Sequence, residues 1–448
     1  MTGLALRSVR HRLASFTATF LSALLGTVLI GSFATLVETA NGPVSVADRE
    51  TLVVMGAVVG GWGGLIVLFS VASTLAVAVR QRAAEIALLR AVGTTPRQAR
   101  RLLRSEALVV TAAGAAVGAL VALGTGRALL ALLRSGGLVD ASVRYAGGPP
   151  SLAASAAGVV LVSLAAASVT GRRSTSGPAT TALRDAASNR SRLRWWRVVL
   201  GLVPVGYGVA LGVVTVTVTA DSTDQYAAMA TSGSSSILVG VGLATLSPVL
   251  LRWSALLVRP ALQGLGATGH LAAHNLTRRS HTLSAALAPV VVFTAGTIGT
   301  LMLVGIDART LAVPVADGDT ITLLNTVVTG MIALFAAIMV VNTFAAALAA
   351  RRGELARLRL LGATPRQART AVLVEAAVVA AVGVVVGGAA SLATVVPFAV
   401  ARDEGVVPDG QLWLPPLLAA AAVALTLGSA AAAARRVTST GIRAGLAA

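Results

Sequence analysis

The sequence predicts an all-α polytopic membrane protein of about ten transmembrane helices, ordered 4 + 2 + 4 around an internally duplicated four-helix unit. Three observations carry this prediction. Of 448 residues, 56% are hydrophobic and 12% charged, with a mean hydropathy of +0.83, where a soluble domain carries roughly 25% charged residues. The apolar residues fall in runs of twenty or more, each able to cross a hydrocarbon core about 30 Å thick. One stretch of sequence also occurs twice, 269 residues apart.

In order, the runs place spans near 16–37, 52–79, 106–130, 150–170, 197–219, 234–258, 283–304, 321–349, 371–399 and 413–434. The first follows Arg7, Arg10 and Arg12 as a signal peptide would, but it lacks a clear small-residue cleavage site and has a later copy, so it reads as a retained helix. Spans two and eight run about 28 residues each, enough to tilt or to project beyond the bilayer. Glycines punctuate the second at Gly56, Gly60 and Gly64, and the counterpart of Gly56 in the eighth is Asn325. Spans five and six have no partner in the repeat and form an insert. The resulting divisions are a first unit over 1–171, a linker and two-helix insert over 172–259, and a second unit over 260–448.

The formal charge of +19 and pI of 11.9 report topology and not a nucleic-acid partner. All 36 basic residues are arginine. Assigning alternate connections to opposite sides puts thirty in one set, and leaves only Arg49, Arg127, Arg134, Arg144, Arg309 and Arg402 in the other. Acids run the other way, with only Glu85, Glu106, Asp185, Glu354 and Glu375 on the arginine-rich side. By the positive-inside rule both termini and the basic loops are cytoplasmic. The Ala, Gly and Arg richness points to a GC-rich bacterial genome, and so to a bacterial plasma membrane.

The repeat is read most clearly where charge and glycine interrupt the apolar runs. Residues 85–107 are EIALLRAVGTTPRQARRLLRSEA, and residues 354–376 are ELARLRLLGATPRQARTAVLVEA. Glu85 pairs with Glu354, Leu89 with Leu358, Arg90 with Arg359, Gly93 with Gly362 and Glu106 with Glu375. Thr95-Pro96-Arg97-Gln98-Ala99-Arg100 recurs unchanged as Thr364-Pro365-Arg366-Gln367-Ala368-Arg369. Each copy reads as a short helix, a glycine suited to the left-handed residue that ends it, then a threonine cap with proline at the first position and glutamine three residues after the cap. Leu88, Leu89 and Val92 give the first helix an apolar face amid heavy positive charge, which fits an element at the cytoplasmic membrane surface. Anchoring a span requires charge but not this bent motif in duplicate, so the segment reads as a docking surface for a cytoplasmic partner.

Within the membrane, Gly114 and Gly118 recur as Gly383 and Gly387, small residues four apart that allow close helix packing in lipid. Mid-span Asp, Glu and Arg are missing, which weighs against a proton- or sodium-driven carrier. The uncharged Asn325, Asn342 and Ser73 are read as interhelical hydrogen-bonding groups in preference to the alternative, groups facing a substrate path. Enzyme motifs are also missing. Without lysine the P-loop pattern cannot occur, and without cysteine disulfides and thiolate chemistry are excluded. His270 and His274 share a helical face but lack the glutamate of a zincin motif and are read as a surface pair. No catalytic, metal-binding or cofactor-binding residue is expected in this chain.

The duplicated run, followed by Glu106 or Glu375 and a glycine-rich span, resembles the signature of FtsX-like permease domains, the membrane subunits of macrolide-exporter-type ABC transporters. The resemblance covers about 52–170 and 321–435. It implies that each unit presents a coupling helix to an ATP-binding subunit. The implied partner-binding residues are Glu85, Leu89, Arg90, Gly93, Thr95, Pro96, Arg97, Gln98 and Arg100, with Glu354, Leu358, Arg359, Gly362, Thr364, Pro365, Arg366, Gln367 and Arg369. One chain with two units would bind two copies of a cytoplasmic ATP-binding subunit, and ATP and Mg would reside there. Many relatives carry a large outer domain after the first or seventh helix. Here those connections, about 38–51 and 305–320, are too short for one. The expected function is therefore export or extraction of a lipid-like or amphipathic compound, such as a peptide antibiotic, from the membrane. The alternative is an ATPase-driven scaffold that transmits motion to an extracellular or membrane partner without moving a solute. A third, ATP-independent carrier or enzyme is disfavoured by the lack of clustered intramembrane polar groups.

Overall fold

The computed structural model describes residues 13–175, 195–222, 227–264, 266–278, 280–310 and 352–439, with isolated positions between 330 and 348. Among them are helices and no strand, and eight helices are long and apolar enough to cross a membrane. The chain forms two compact units. One comprises Met1–Ala186 with Asp307–Phe335, the other Ala187–Ile306 with Ala336–Ala448. The expected eighth span, with Asn325 and Asn342, lies largely outside the described residues, as does the side chain of Ser73.

The first unit is built from α1 (Leu13–Ala40), α2 (Val46–Val53), α3 (Gly60–Gln81), α4 (Ala83–Ala91), α5 (Pro96–Ser135) and α6 (Pro149–Thr175). A π-helical turn, Val54–Val59, joins α2 to α3. Helix α1 is the inner member and turns a row of small polar residues, Thr19, Ser22, Thr27, Ser32, Thr35 and Thr39, toward its neighbours. Several of these hydroxyls donate to carbonyls of the same helix, as Thr35 does to Ser32 (2.7 Å) and Thr39 to Thr35 (2.7 Å), which satisfies those donors without water. Gly114 and Gly118 of α5 lie directly on α1. A Cβ at Gly114 would come 2.7 Å from the Phe20 carbonyl oxygen, and one at Gly118 2.5 Å from that of Leu24. Only glycine permits that approach.

At the arginine-poor end the connection 136–148 folds back onto the unit. The Glu38 carboxylate accepts from the backbone N–H groups of Gly148 (2.9 Å) and Ser151 (3.2 Å), capping α6. Asp48 accepts from the Asp140 N–H (2.9 Å), and the Arg127 guanidinium lies over the Tyr145 ring.

The second unit contains α7 (Trp195–Val214), extended by a π turn over Thr215–Thr219, then α8 (Ala227–Ser232), α9 (Ser235–Thr245), α10 (Ser247–Gln263), α11 (Gly266–Arg278), α12 (Ser280–Thr310), α13 (Arg352–Leu360), α14 (Pro365–Ala401) and α15 (Leu414–Ser439). Gly383 and Gly387 of α14 pack on α12 as Gly114 and Gly118 pack on α1. Cβ atoms there would meet Val290 and Thr294 at 2.5 and 2.7 Å. The contacts pair Ala23 with Val290, Leu24 with Val291 and Thr27 with Thr294. Thus α1 and α12 are equivalents at an offset of 267, two residues out of step with the rest of the repeat.

The insert helices pack on one another and on this unit through small residues. Gly208 rests on the Ser235 carbonyl, Gly242 on the Gly201 carbonyl, and Gly240 on Ala295 of α12. Thr394 exchanges hydrogen bonds with Ser232, donating to its carbonyl (2.8 Å) and accepting on its own carbonyl from the Ser232 hydroxyl (3.0 Å). The Ser236 N–H donates to the Thr394 hydroxyl (2.8 Å). In the first unit the counterpart Thr125 is 2.6 Å from the Ser32 hydroxyl. At offset 267 Ser32 becomes Gly299, and a side chain at Gly299 would occupy the place of Ser236. The insert supplies, through the Ser236 N–H and the Ser232 carbonyl, the partners for the Thr394 hydroxyl that Ser32 provides to Thr125 within the first unit.

The expected sixth span, 234–258, is corrected. The membrane-length segment ends at Thr245, and Leu246 (φ −88°, ψ 2°) breaks the helix before α10 begins. Pro248 has no N–H to bond the Ala244 carbonyl and crowds the residues before it, so a helix stops and a new one starts.

Candidate functional site

Both copies of the repeated motif fold alike. Helix α4 ends at Gly93 (φ +108°) and α13 at Gly362 (φ +97°), conformations that glycine adopts without strain. Backbone bonds from Thr94 to the Leu89 carbonyl (3.0 Å) and from Gly93 to the Arg90 carbonyl (3.1 Å) close the first turn. Ala363 to Leu358 and Gly362 to Arg359 (3.1 Å each) close the second. Thr95 then caps α5 in a reciprocal pair. Its hydroxyl accepts from the Gln98 N–H (3.3 Å) while its own N–H donates to the Gln98 side chain (2.9 Å). Thr364 and Gln367 repeat this at 3.2 and 2.9 Å. The bend is fixed by four satisfied backbone groups in each copy, and not by packing alone.

The predicted apolar face, Leu88, Leu89 and Val92, is not the one that packs on the protein. Ile86 and Ala87 point inward, as do their counterparts Leu355 and Ala356. Ile86 joins a cluster with Leu75 and Val79 of α3, Ala99, Leu103 and Ala107 of α5, and Ala167 of α6. Leu88, Leu89 and Val92 point outward instead, and Val92 is 82% exposed, as Leu361 is 85% exposed at the same place. Around these tips Pro96, Arg97 and Gln98 are exposed, as are Pro365, Arg366 and Gln367. Glu85, Arg90 and Arg100 are partly covered, and so are Glu354, Leu358, Arg359 and Arg369. Two of the last set are tied to the end of α15: Arg359 donates to the Thr438 carbonyl (3.1 Å) and Arg369 to its hydroxyl (2.6 Å). The predicted residues therefore include both a projecting surface and the bonds that seat it.

Sequence reasoning counted Arg82 only among the positive charges around the motif, yet it joins these parts in the first unit. Arg82 stands at the break between α3 and α4 (φ −95°, ψ 7°). Its guanidinium donates to Glu106, which is 1% exposed on α5, and to Glu85 of α4 (3.2 Å), and it lies 6.0 Å from the Phe16 ring of α1. Burial alone would disfavour the charge on Arg82, but the two carboxylates outweigh it and raise the guanidinium above its ordinary range. In the second unit the equivalent Glu375, 2% exposed, accepts from Asn275 of α11 (2.6 Å). A signal for these contacts was present: four of the five acids on the arginine-rich side are the pairs Glu85/Glu106 and Glu354/Glu375.

From the bend, α5 runs 40 residues and α14 runs 37 without interruption, about 60 and 55 Å at 1.5 Å per residue. His270 and His274 are exposed on α11, and the described residues contain no group of three His, Asp or Glu side chains placed to hold a metal.

Two capped bends, each leading into one long membrane helix, give the chain a duplicated transmembrane architecture. Residues 57–178 and 326–442 match the FtsX-like permease C-terminal domain, with starting points 269 residues apart. The chain belongs to the FtsX-like permease family, membrane subunits that work with cytoplasmic ATP-binding subunits in ABC transporters. No curated protein matches the chain.

Proposed function

We propose that this chain is the permease subunit of an ATP-driven exporter, with two separate ATP-binding subunits docked on its two bends in the cytoplasm. The observation that carries the reading is the duplicated, fully capped bend with one large aliphatic tip exposed in each copy, Val92 and Leu361. Such tips bury well in a partner's cleft, and the flanking Arg97 and Arg366 steer an acidic rim toward them. ATP and Mg are held by the partners, whose closure moves the two bends, and α5 and α14 carry the motion outward. The substrate is a lipid-like or amphipathic compound, such as a peptide antibiotic, taken from the membrane.

The test is co-expression with the ATP-binding subunit encoded beside it, followed by stoichiometry and ATPase rate in the presence of amphipathic peptides. A one-to-two complex whose rate responds to a peptide supports export. A complex whose rate ignores every peptide and changes with an extracellular or membrane partner supports a motion-transmitting scaffold. Failure to bind any such subunit overturns the docking assignment.

A further inference from the structure

The helix α10 of the second unit is part of no candidate span. It begins at the Leu246 break and runs 17 residues, about 26 Å. Continued in line with the 19-residue segment before it, it would give a rod of roughly 54 Å, far beyond a 30 Å core. With α11 it connects one span ending at Thr245 to another beginning near Leu283, so both ends of this connection stand at the same membrane face.

Its side chains sort into three sectors. Leu251, Ala255 and Leu262 are buried against the protein. On the opposite side Trp253 (68% exposed), Leu256 (55%) and Leu257 (79%) form an apolar face with no protein cover. Arg252 and Arg259, seven residues apart and both exposed, line the edge between these sectors. A tryptophan and two leucines flanked by arginines on a surface helix match the boundary between headgroups and acyl chains, where indole rings concentrate and guanidinium groups reach phosphate.

We propose that α10 is an interfacial helix that binds anionic phospholipid on the arginine-rich side of the membrane. Trp253, Leu256 and Leu257 enter the acyl region, and Arg252 and Arg259 hold the headgroup phosphates. Charge complementarity selects this occupant over a protein. Each arginine near an anionic surface is worth on the order of a fivefold enrichment of the charged lipid.

The chain has no cysteine, so Leu257→Cys introduces a unique site for a polarity-sensitive thiol fluorophore. The full-length protein is reconstituted in phosphatidylcholine vesicles containing a minor fraction of either brominated phosphatidylcholine or brominated phosphatidylglycerol. The label is expected to be quenched by both, at least about twofold more by the glycerol lipid, and Arg252→Gln with Arg259→Gln is expected to erase that preference while leaving the quenching. A label at Val385→Cys, 71% exposed on α14, reports insertion and shows no preference. Equal quenching at position 257 by the two lipids, with both arginines present, overturns headgroup binding. Loss of quenching by either lipid together with access to aqueous iodide also overturns the proposal and assigns the face to a soluble partner.

Discussion

Replacing Arg82 by Met removes the guanidinium that serves Glu106 and Glu85 while keeping a chain of similar length. Glu106 is 1% exposed, and its Oε1 has no hydrogen-bond partner among the described residues. Removing one member of a buried pair costs about 3–5 kcal/mol because a charge is left uncompensated. The lower end applies here, since the Arg82 side chain retains 16% exposure. The loss falls on the contact between α4 and α5, so it opens the bend locally before it unfolds the unit. About 3 kcal/mol corresponds to a change of about 150-fold in the population of the open form. Hydrogen exchange on the detergent-purified protein reads it: amides of 83–92 lose about two orders of magnitude of protection, while those of 110–130 are unchanged. Arg82→Met combined with Glu106→Gln leaves no buried charge and recovers α4 to within about tenfold of the parent. A shift below about fivefold in the single variant, or an equal loss over 110–130, refutes the reasoning.

Gly118→Val places a side chain 2.5 Å from the Leu24 carbonyl and lowers stability by about 3 kcal/mol, as Gly387→Val does in the second unit. Gly124→Ala, which meets nothing within 4 Å, leaves the thermal midpoint in detergent unchanged. Val92→Asp and Leu361→Asp each weaken binding of the ATP-binding subunit at least about tenfold, from the loss of a buried aliphatic tip. Charge reversal at Arg97 and Arg366 slows association most at low salt, and both effects are read by co-purification and titration. Gly299→Ser copies the first unit's Ser32 into the second. It gives Thr394 a rival partner and displaces Ser236, so exchange over 227–245 rises while that over 370–390 does not; unaltered exchange over 227–245 would show that Ser236 is not what seats the insert.

The sequence by itself determined the features that local chemistry controls. Apolar run length set the spans, because a bilayer requires every backbone group to be satisfied within the helix. Gly93, Thr95, Pro96 and Gln98 set the bend, because a left-handed residue, a cap, a first-position proline and a reciprocal glutamine each act within a few residues. The boundary after Thr245 was missed because apolar residues continue past it, and Pro248 outweighed hydropathy. The tertiary structure decided what depends on partners distant in the chain. It separated inward Ile86 from outward Val92, which lie six residues apart and share similar chemistry. It put Arg82 on Glu106, 24 residues away, and Asn275 on Glu375, a hundred residues away. It also aligned α1 with α12 at an offset of 267, which the sequence hides because many apolar side chains fill a helix interface in lipid equally well, while contacts such as Gly118 on Leu24 fix the register through backbone approach that only packing reveals.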